Sequence, residues 1–281
     1  MNKLDIPLMI DSGAFSAWKQ RIPIDLDEYI DFIKEQVLVH PNVVYFNLDV
    51  IPQKDEAKDG APSYRNFLKM KRAGLDPIPV YHASTDTKWL RRYMGHTDFI
   101  ALGWLVGRSS PALIRMLDYL WEEHLTDDKH MPRVKVHGLG VTSFVRLKRY
   151  PWYSVDSTTW LQAAIYGKVF IPHWRKGAWD YGNAPYVITM STRSSKTKEK
   201  DAHLLTLSPK KQDIVKRFLS HAGFEFGKSK IVEEEEVVIV PGVSNDYEMR
   251  GALNAFVFAR FLETLEWPRP FRVKRLKGFV V

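Results

Sequence analysis

The chain has 281 residues, 45% of them hydrophobic and 13% aromatic, enough apolar material for a large core and too much for a disordered or fibrous protein. It contains no cysteine, which excludes disulfides, thiolate nucleophiles and zinc sites built on sulfur. Lys and Arg number 41 against 33 Asp and Glu, a net charge of +8 that favours a polyanionic partner through phosphate contacts.

The first eight residues lack a basic segment followed by an apolar one, and no apolar run approaches the ~20 residues needed to cross a bilayer. A cytoplasmic protein without membrane contact is expected. The positive charge is uneven. Residues 133–149 carry Arg133, Lys135, Arg146, Lys148 and Arg149 with no acid, and the tail carries Arg269, Arg272, Lys274, Arg275 and Lys277. Charge pattern alone does not separate a nucleic-acid face from a solvated basic surface.

In chain order, short apolar runs each end on a polar residue or glycine. Ile6–Ile10 ends at Asp11, Val43–Leu48 at Asp49 and Ile78–Tyr81 at His82; Phe99–Leu102 ends at Gly103, Val134–Val136 at His137-Gly138 and Trp152–Val155 at Asp156. Between them Leu26–Val39, Ser63–Ala73, Thr87–Met94 and Pro111–His124 carry apolar residues at helical spacing. Pro111 suits a first helical turn, with Ser109 or Ser110 before it as cap. Strand-helix alternation predicts a parallel sheet, doubly wound or closed. No Gly-rich dinucleotide fingerprint follows the first strand, and strand-end polar residues are where barrel enzymes place their chemistry. The expected fold is therefore a (β/α)8 barrel. Val169–Pro172 reads as strand seven, Val187–Met190 as an added strand, residues 191–230 as a basic insertion, Val237–Val240 as strand eight and Asp246–Trp267 as the closing helix. Residues 1–281 form one expected domain, with a basic tail over 268–281.

Two carboxylates at barrel strand ends can carry glycosyl chemistry, one attacking the anomeric carbon and one shuttling protons. Five pieces sharpen this reading in order along the chain. Ile10-Asp11-Ser12-Gly13-Ala14-Phe15 resembles the Asp-Ser-Gly-Gly-aromatic motif of the queuine and archaeosine tRNA-guanine transglycosylases. Phe46-Asn47-Leu48-Asp49 falls where that family has a base-reading Asp. Residues 100–107, Ile-Ala-Leu-Gly-Trp-Leu-Val-Gly, resemble its Gly-Gly-Leu-Ala-Val-Gly loop, and His137-Gly138-Leu139-Gly140-Val141 resembles its Met-Gly-Val-Gly stretch. Ser154-Val155-Asp156-Ser157 falls where it carries the nucleophilic Asp. The resemblance spans roughly residues 5–172.

Position by position, the resemblance implies Asp156 as nucleophile at the sugar C1′, Asp11 as general acid/base, and Asp49 as acceptor for N1–H and the 2-amino group of a guanine-like base. It implies Ser12 and the backbone of Gly103, Trp104 and Leu105 at the base's other polar edge, with Gly140 beside them. Phe15 and Leu139 would sandwich the ring, where stacking is worth ~1–3 kcal/mol. His82 stands where the family has a base-contacting Gln. Simpler readings exist for each: Asp11 and Asp156 as helix caps, Phe15 and Leu139 as core, His82 as a satisfied buried histidine.

Departures redirect the substrate. The tRNA enzymes hold a structural zinc on three Cys and one His, which this chain cannot build, and their Pro-Thr-Arg after the nucleophile is replaced by Ser157-Thr158-Thr159-Trp160. The chain thus more closely resembles the DNA-guanine transglycosylases of phages and bacterial genomic islands, which insert 7-deazaguanine bases. That implies DNA as partner, a preQ0-like base, a bacterial cytoplasm, no metal and no cofactor. Arg146, Lys148, Arg149, Arg175, Lys176, Arg193, Lys196 and Lys198 are the candidate backbone contacts, with Trp18, Trp174 and Trp179 as stacking surface. A tRNA substrate and a catalytically silent nucleic-acid-binding barrel are the alternatives. No residue pattern decides the oligomeric state.

Overall fold

The computed structural model describes residues 8–40, 42–51, 59–105, 110–141, 143–200, 202–233 and 235–272, which fall into two units. Unit 1 takes the described residues up to Val141, Arg149–Asp156 and those from Trp267 on; unit 2 takes residues 143–148 and Ser157–Glu266.

Unit 1 begins with strand β1 (Leu8–Ile10) and helices α1 (Ala14–Gln20) and α2 (Leu26–Val39). Asp25 caps α2 by accepting the Asp27 and Glu28 N–H groups, and Tyr29, Ile30 and Ile33 form its buried stripe. Next come β2 (Val43–Tyr45), α3 (Ala61–Arg72), β3 (Val80–His82) and α4 (Thr87–Met94), the last capped by Asp86. Then follow β4 (Phe99–Gly103) and α5 (Ser110–Leu120), which widens into a π turn over Trp121–Leu125. Pro111 stands in the first turn of α5, as its missing N–H allows. β5 (Lys135–Gly138) and β6 (Ser154–Val155) complete its strands; the helix between them in the chain, α6 (Phe144–Arg149), belongs to unit 2 up to Lys148.

Every pairing among these strands is parallel. β1 lies on β2, Phe46 bridges to Ile78 ahead of β3, and β3, β4, β5 and β6 follow in turn. Spatial order thus follows chain order, and all carboxyl ends share one edge. Val80, Ile100, Ala101, Leu102 and Val136 are almost wholly buried, which explains why these strands read as continuous apolar runs rather than alternating ones. Each such branched aliphatic side chain contributes about 1.5–3 kcal/mol by burial.

The segment before β6 is fastened unusually well. Tyr150 stacks between Trp121 and Phe271, with ring centroids 6.3 and 5.7 Å away, and Trp152 meets Trp121 edge-on at 5.5 Å. Arg149 grips Asp118, which has no exposed surface, through Nε to Oδ1 at 2.8 Å and Nη2 to Oδ2 at 2.7 Å.

Unit 2 contains α7 (Thr159–Ile165), β7 (Lys168–Ile171), β8 (His173–Arg175), β9 (Ala178–Asp180), β10 (Tyr186–Thr189), α8 (Pro209–Ala222), β11 (Lys228–Val232), β12 (Glu235–Val240) and α9 (Tyr247–Glu263). Its strand pairs β7–β10, β8–β9 and β11–β12 are antiparallel. Strands were expected at β7, β10 and β12, but the segment expected as strand eight pairs antiparallel with β11. The basic stretch 191–230 holds a packed helix, α8, whose Val215, Phe218 and Leu219 are buried beneath exposed lysines. In α9, Asn254 Nδ2 donates to the Trp160 and Lys168 carbonyls while its Oδ1 accepts the Phe170 N–H. No described helix is long and apolar enough to cross a membrane.

Candidate active site

Because the strands of unit 1 are parallel and in chain order, the residues that end them gather along one edge. Asp11 follows β1, Asp49 lies four residues beyond β2, His82 and Gly103 close β3 and β4 in register with each other, and Asp156 follows β6. All belong to unit 1.

Gly13 starts α1 in the left-handed region at φ 73°, a conformation that lets the chain turn out of β1 at once. The turn brings Ser12 back over the edge. Its N–H donates to Asp11 Oδ1 at 2.8 Å, its hydroxyl donates to Asp49 Oδ1 at 3.0 Å, and its Oγ accepts the Ala14 N–H at 3.2 Å. Ser12 is therefore the joint between two carboxylates. Asp11 caps no helix, since α1 has no side-chain cap bond.

Asp49 is further bounded by His82, whose Nε2 stands 2.9 Å from Oδ2 in a buried pair. The angle is poor for a hydrogen bond, and both ring nitrogens of His82 lack a hydrogen-bond partner. His82 Nδ1 faces Gly103, where an added Cβ would come within 3.1 Å. The Trp104 ring lies edge-on to His82 at 6.3 Å, and Trp104 itself sits at φ 65°, a left-handed conformation costly for a bulky residue.

Asp156 is held differently. Its Oδ1 accepts from the Gly140 N–H at 2.8 Å and contacts His137 Nε2 at 3.2 Å, while its side chain stays 57% exposed. Gly140 lies at φ 66°, which turns its N–H toward the carboxylate. His137 is 1% exposed, and its Nδ1 lies 2.9 Å from Ser154 Oγ.

The two carboxylates are pushed apart in acidity. Partial burial raises Asp11, the Asp49 carboxylate raises it further, and the Ser12 N–H only partly opposes this; Asp156 also raises it and His137 lowers it slightly. Burial raises Asp156 as well, but the His137 and Gly140 donors together outweigh it and hold that carboxyl below its ordinary range. Divergent environments of this kind separate an acid from a nucleophile.

Phe15 is 55% exposed beside Trp18, whereas Leu139 is half-buried against Phe46, Ile78, Val80 and Ala101. Leu105 is buried and the Gly103 backbone sits in β4. A cavity of about 410 Å3 opens between α1 and Asp49, lined also by Trp18, Arg21, Leu48 and Asn66. It reaches this cluster from the Asp49 side and is lined by neither Asp11 nor Asp156. A second cavity, about 490 Å3, belongs to unit 2 and is lined by Trp174, Trp179, Tyr181, Arg217 and His221. Its lining contains no carboxylate.

The basic candidates divide. Arg149 is engaged with Asp118, and Lys148 donates to Gly182 O at 2.8 Å. Arg175 and Lys176 are exposed at the β8–β9 turn, Arg175 lying 3.6 Å from Asp180, and Arg193 is exposed. Arg146 is part-buried in α6; the side chains of Lys196 and Lys198 and the tail beyond Arg272 lie outside the described residues. His137 and Ser154, which sequence reasoning quoted only within motifs, prove to be direct partners in the Asp156 cluster. The available signal was a polar residue ending β5, the same pattern that marked His82. Among the described residues no group of three His, Asp or Glu could hold a metal ion. No family model matches the chain, and neither a curated protein nor a solved structure matches it.

Proposed function

We propose that the chain is a DNA-guanine transglycosylase, exchanging guanine in DNA for a 7-deazaguanine base such as preQ0, and that unit 1 supplies a (β/α)8-type barrel for it. The observation that carries this reading is one strand edge holding Asp11, joined through Ser12 to Asp49, and Asp156, gripped by the His137 and Gly140 donors, in environments that push the acidities of Asp11 and Asp156 apart. An ionised, half-open Asp156 is suited to attack C1′, and the Asp11 carboxyl, held less acidic than an ordinary aspartate, is suited to give and take a proton.

The reaction balances without a cofactor. Asp156 forms a bond to C1′ as the C1′–N9 bond breaks, and the electron pair leaves on guanine, which takes the Asp11 proton. The incoming base returns its N9 proton to Asp11, attacks C1′ and displaces the Asp156 carboxylate. Asp49 is suited to read the base, since each of its oxygens keeps a lone pair beyond those turned to Ser12 and His82. Two adjacent acceptors match guanine and reject adenine.

Two further features support the family resemblance. Six parallel strands in chain order have no reversal point, as a barrel requires and a doubly wound sheet does not. Trp104 keeps the left-handed backbone that glycine adopts, and the resembling loop carries glycine there. Exposed Arg175, Lys176 and Arg193 are candidate phosphate contacts, and a duplex base must be flipped out to react, at a cost of a few kcal/mol. The test is incorporation of labelled guanine into duplex DNA and into tRNA by wild type and Asp156→Ala. Label entering DNA, and no label with the variant, is expected. Label in tRNA alone, in neither, or unchanged in Asp156→Ala overturns the reading.

A further inference from the structure

The buried face of Asp156 carries a device that the exchange reaction as stated does not use. His137, at the end of β5, lies between Ser154 of β6 and Asp156 beyond it, 2.9 Å from the Ser154 hydroxyl and 3.2 Å from Asp156 Oδ1. The imidazole is 1% exposed and packs against Phe46 at 5.0 Å, so its orientation is set by the core. A carboxylate offers only acceptors, so Nε2 must carry the proton that faces Asp156. In the neutral ring Nδ1 is then an acceptor, and the Ser154 hydroxyl donates to it. Asp156 thus selects the tautomer, Ser154 holds the other ring nitrogen, His137 aims one N–H, and the Gly140 N–H at 2.8 Å aims a second at the same oxygen.

We propose that His137 is a positioning residue for the Asp156 nucleophile: anchored at Nδ1 by Ser154 and presenting Nε2–H to the carboxylate, it fixes Oδ1 as the spectator oxygen and leaves Oδ2 to form the bond to C1′. This rests on the transglycosylase reading. As Oδ2 bonds to C1′, negative charge leaves the carboxylate and Oδ1 becomes the ester carbonyl oxygen. When the incoming base attacks C1′, the Oδ2–C1′ bond breaks and charge returns to the carboxylate. The two N–H donors stabilise that returning charge, so their largest effect falls on breakdown of the covalent intermediate. The Nε2 proton stays on His137 throughout. Among the described residues, Asp11, beyond β1, is the other titratable group coupled to Asp156, and the two negative charges oppose each other.

The experiment uses His137→Phe, His137→Gln and Ser154→Ala in the full chain. His137→Phe should slow exchange on the order of 10²-fold, the loss typical of one aimed donor. It should lengthen the lifetime of the Asp156 adduct and move the acidic limb of the rate profile to higher pH. His137→Gln, which keeps an N–H near the place of Nε2, should recover part of the rate; Ser154→Ala should give a smaller loss in the same direction. A purely structural His137 would lower the rate without moving the acidic limb or the adduct lifetime, and that result overturns the proposal. Titration of the Asp156 carboxyl by carbon-13 NMR needs no activity. It should show Asp156 less acidic in His137→Phe than in wild type, and an unmoved titration overturns the proposal even if exchange is real. A wild type that exchanges no base, with the NMR shift present, overturns the transglycosylase reading instead.

Discussion

The Arg149–Asp118 pair decides whether one of the basic residues serves the partner or the fold. Asp118 has no exposed surface and receives Arg149 Nε at 2.8 Å, Nη2 at 2.7 Å and the Tyr150 hydroxyl at 2.9 Å; the Arg149 side chain is 17% exposed. Arg149→Met removes two charge-assisted hydrogen bonds and leaves a buried carboxylate short of its counter-charge, a change that costs about 3–5 kcal/mol. At roughly 2–4 °C per kcal/mol for a chain of this size, the melting transition of unit 1 should fall by roughly 6–20 °C. Replacing both partners, Asp118→Leu with Arg149→Met, removes the stranded charge and should recover most of the loss. Urea unfolding followed by tryptophan fluorescence measures both, since Trp121 and Trp152 border this cluster. A loss under about 1 kcal/mol in Arg149→Met, or a double variant no better than the single, refutes the reasoning. A second readout separates the roles directly. Affinity for DNA falls with salt by about 0.9 log units per log unit for each phosphate neutralised. Arg149→Met should leave that slope unchanged, while Lys176→Ala at the exposed hairpin turn should lower it by about one phosphate's worth.

Three other outcomes are expected. Asp11 is raised above the ordinary 3.8, so its ionised form destabilises the fold above its folded pKa, and the penalty is absent below 3.8; Asp156 is lowered, so it stabilises above 3.8 and loses that contribution as pH falls through its folded value. At pH 7 Asp11→Asn should therefore melt above wild type and Asp156→Asn below it, both differences shrinking as the pH is lowered past 3.8; melting shifts of the same sign contradict this. Under the proposed function, Asp49→Asn exchanges an acceptor oxygen for a donor where the base would be read, so guanine exchange should drop about 10–100-fold, the equivalent of ~1–3 kcal/mol of base discrimination, with labelled adenine the control. Trp104→Gly relieves a left-handed backbone and removes the ring edge-on to His82; competition assays should show bulkier 7-substituted bases tolerated, and an unchanged base profile would place Trp104 away from the base.

Local order set a good deal of this protein in advance. Helices α2 and α4 occupy the stretches their apolar spacing marks, and the strand ends carry the polar residues expected there, because periodicity and caps act within about four residues of chain. Asp11, Asp49, His82 and Asp156 were legible as candidates for that reason. Their working relations were not. Whether Ser12 joins two carboxylates, whether His137 reaches Asp156 and whether Arg149 faces a phosphate or Asp118 depend on contacts 37, 19 and 31 residues apart. The same holds for β12, a strand by its composition, whose partner proved to be β11 and not a parallel neighbour. A residue type limits what a side chain can do; only the register of the folded strands places a donor beside the one carboxylate and a second acid beside the other, and so gives two identical side chains opposite acidities.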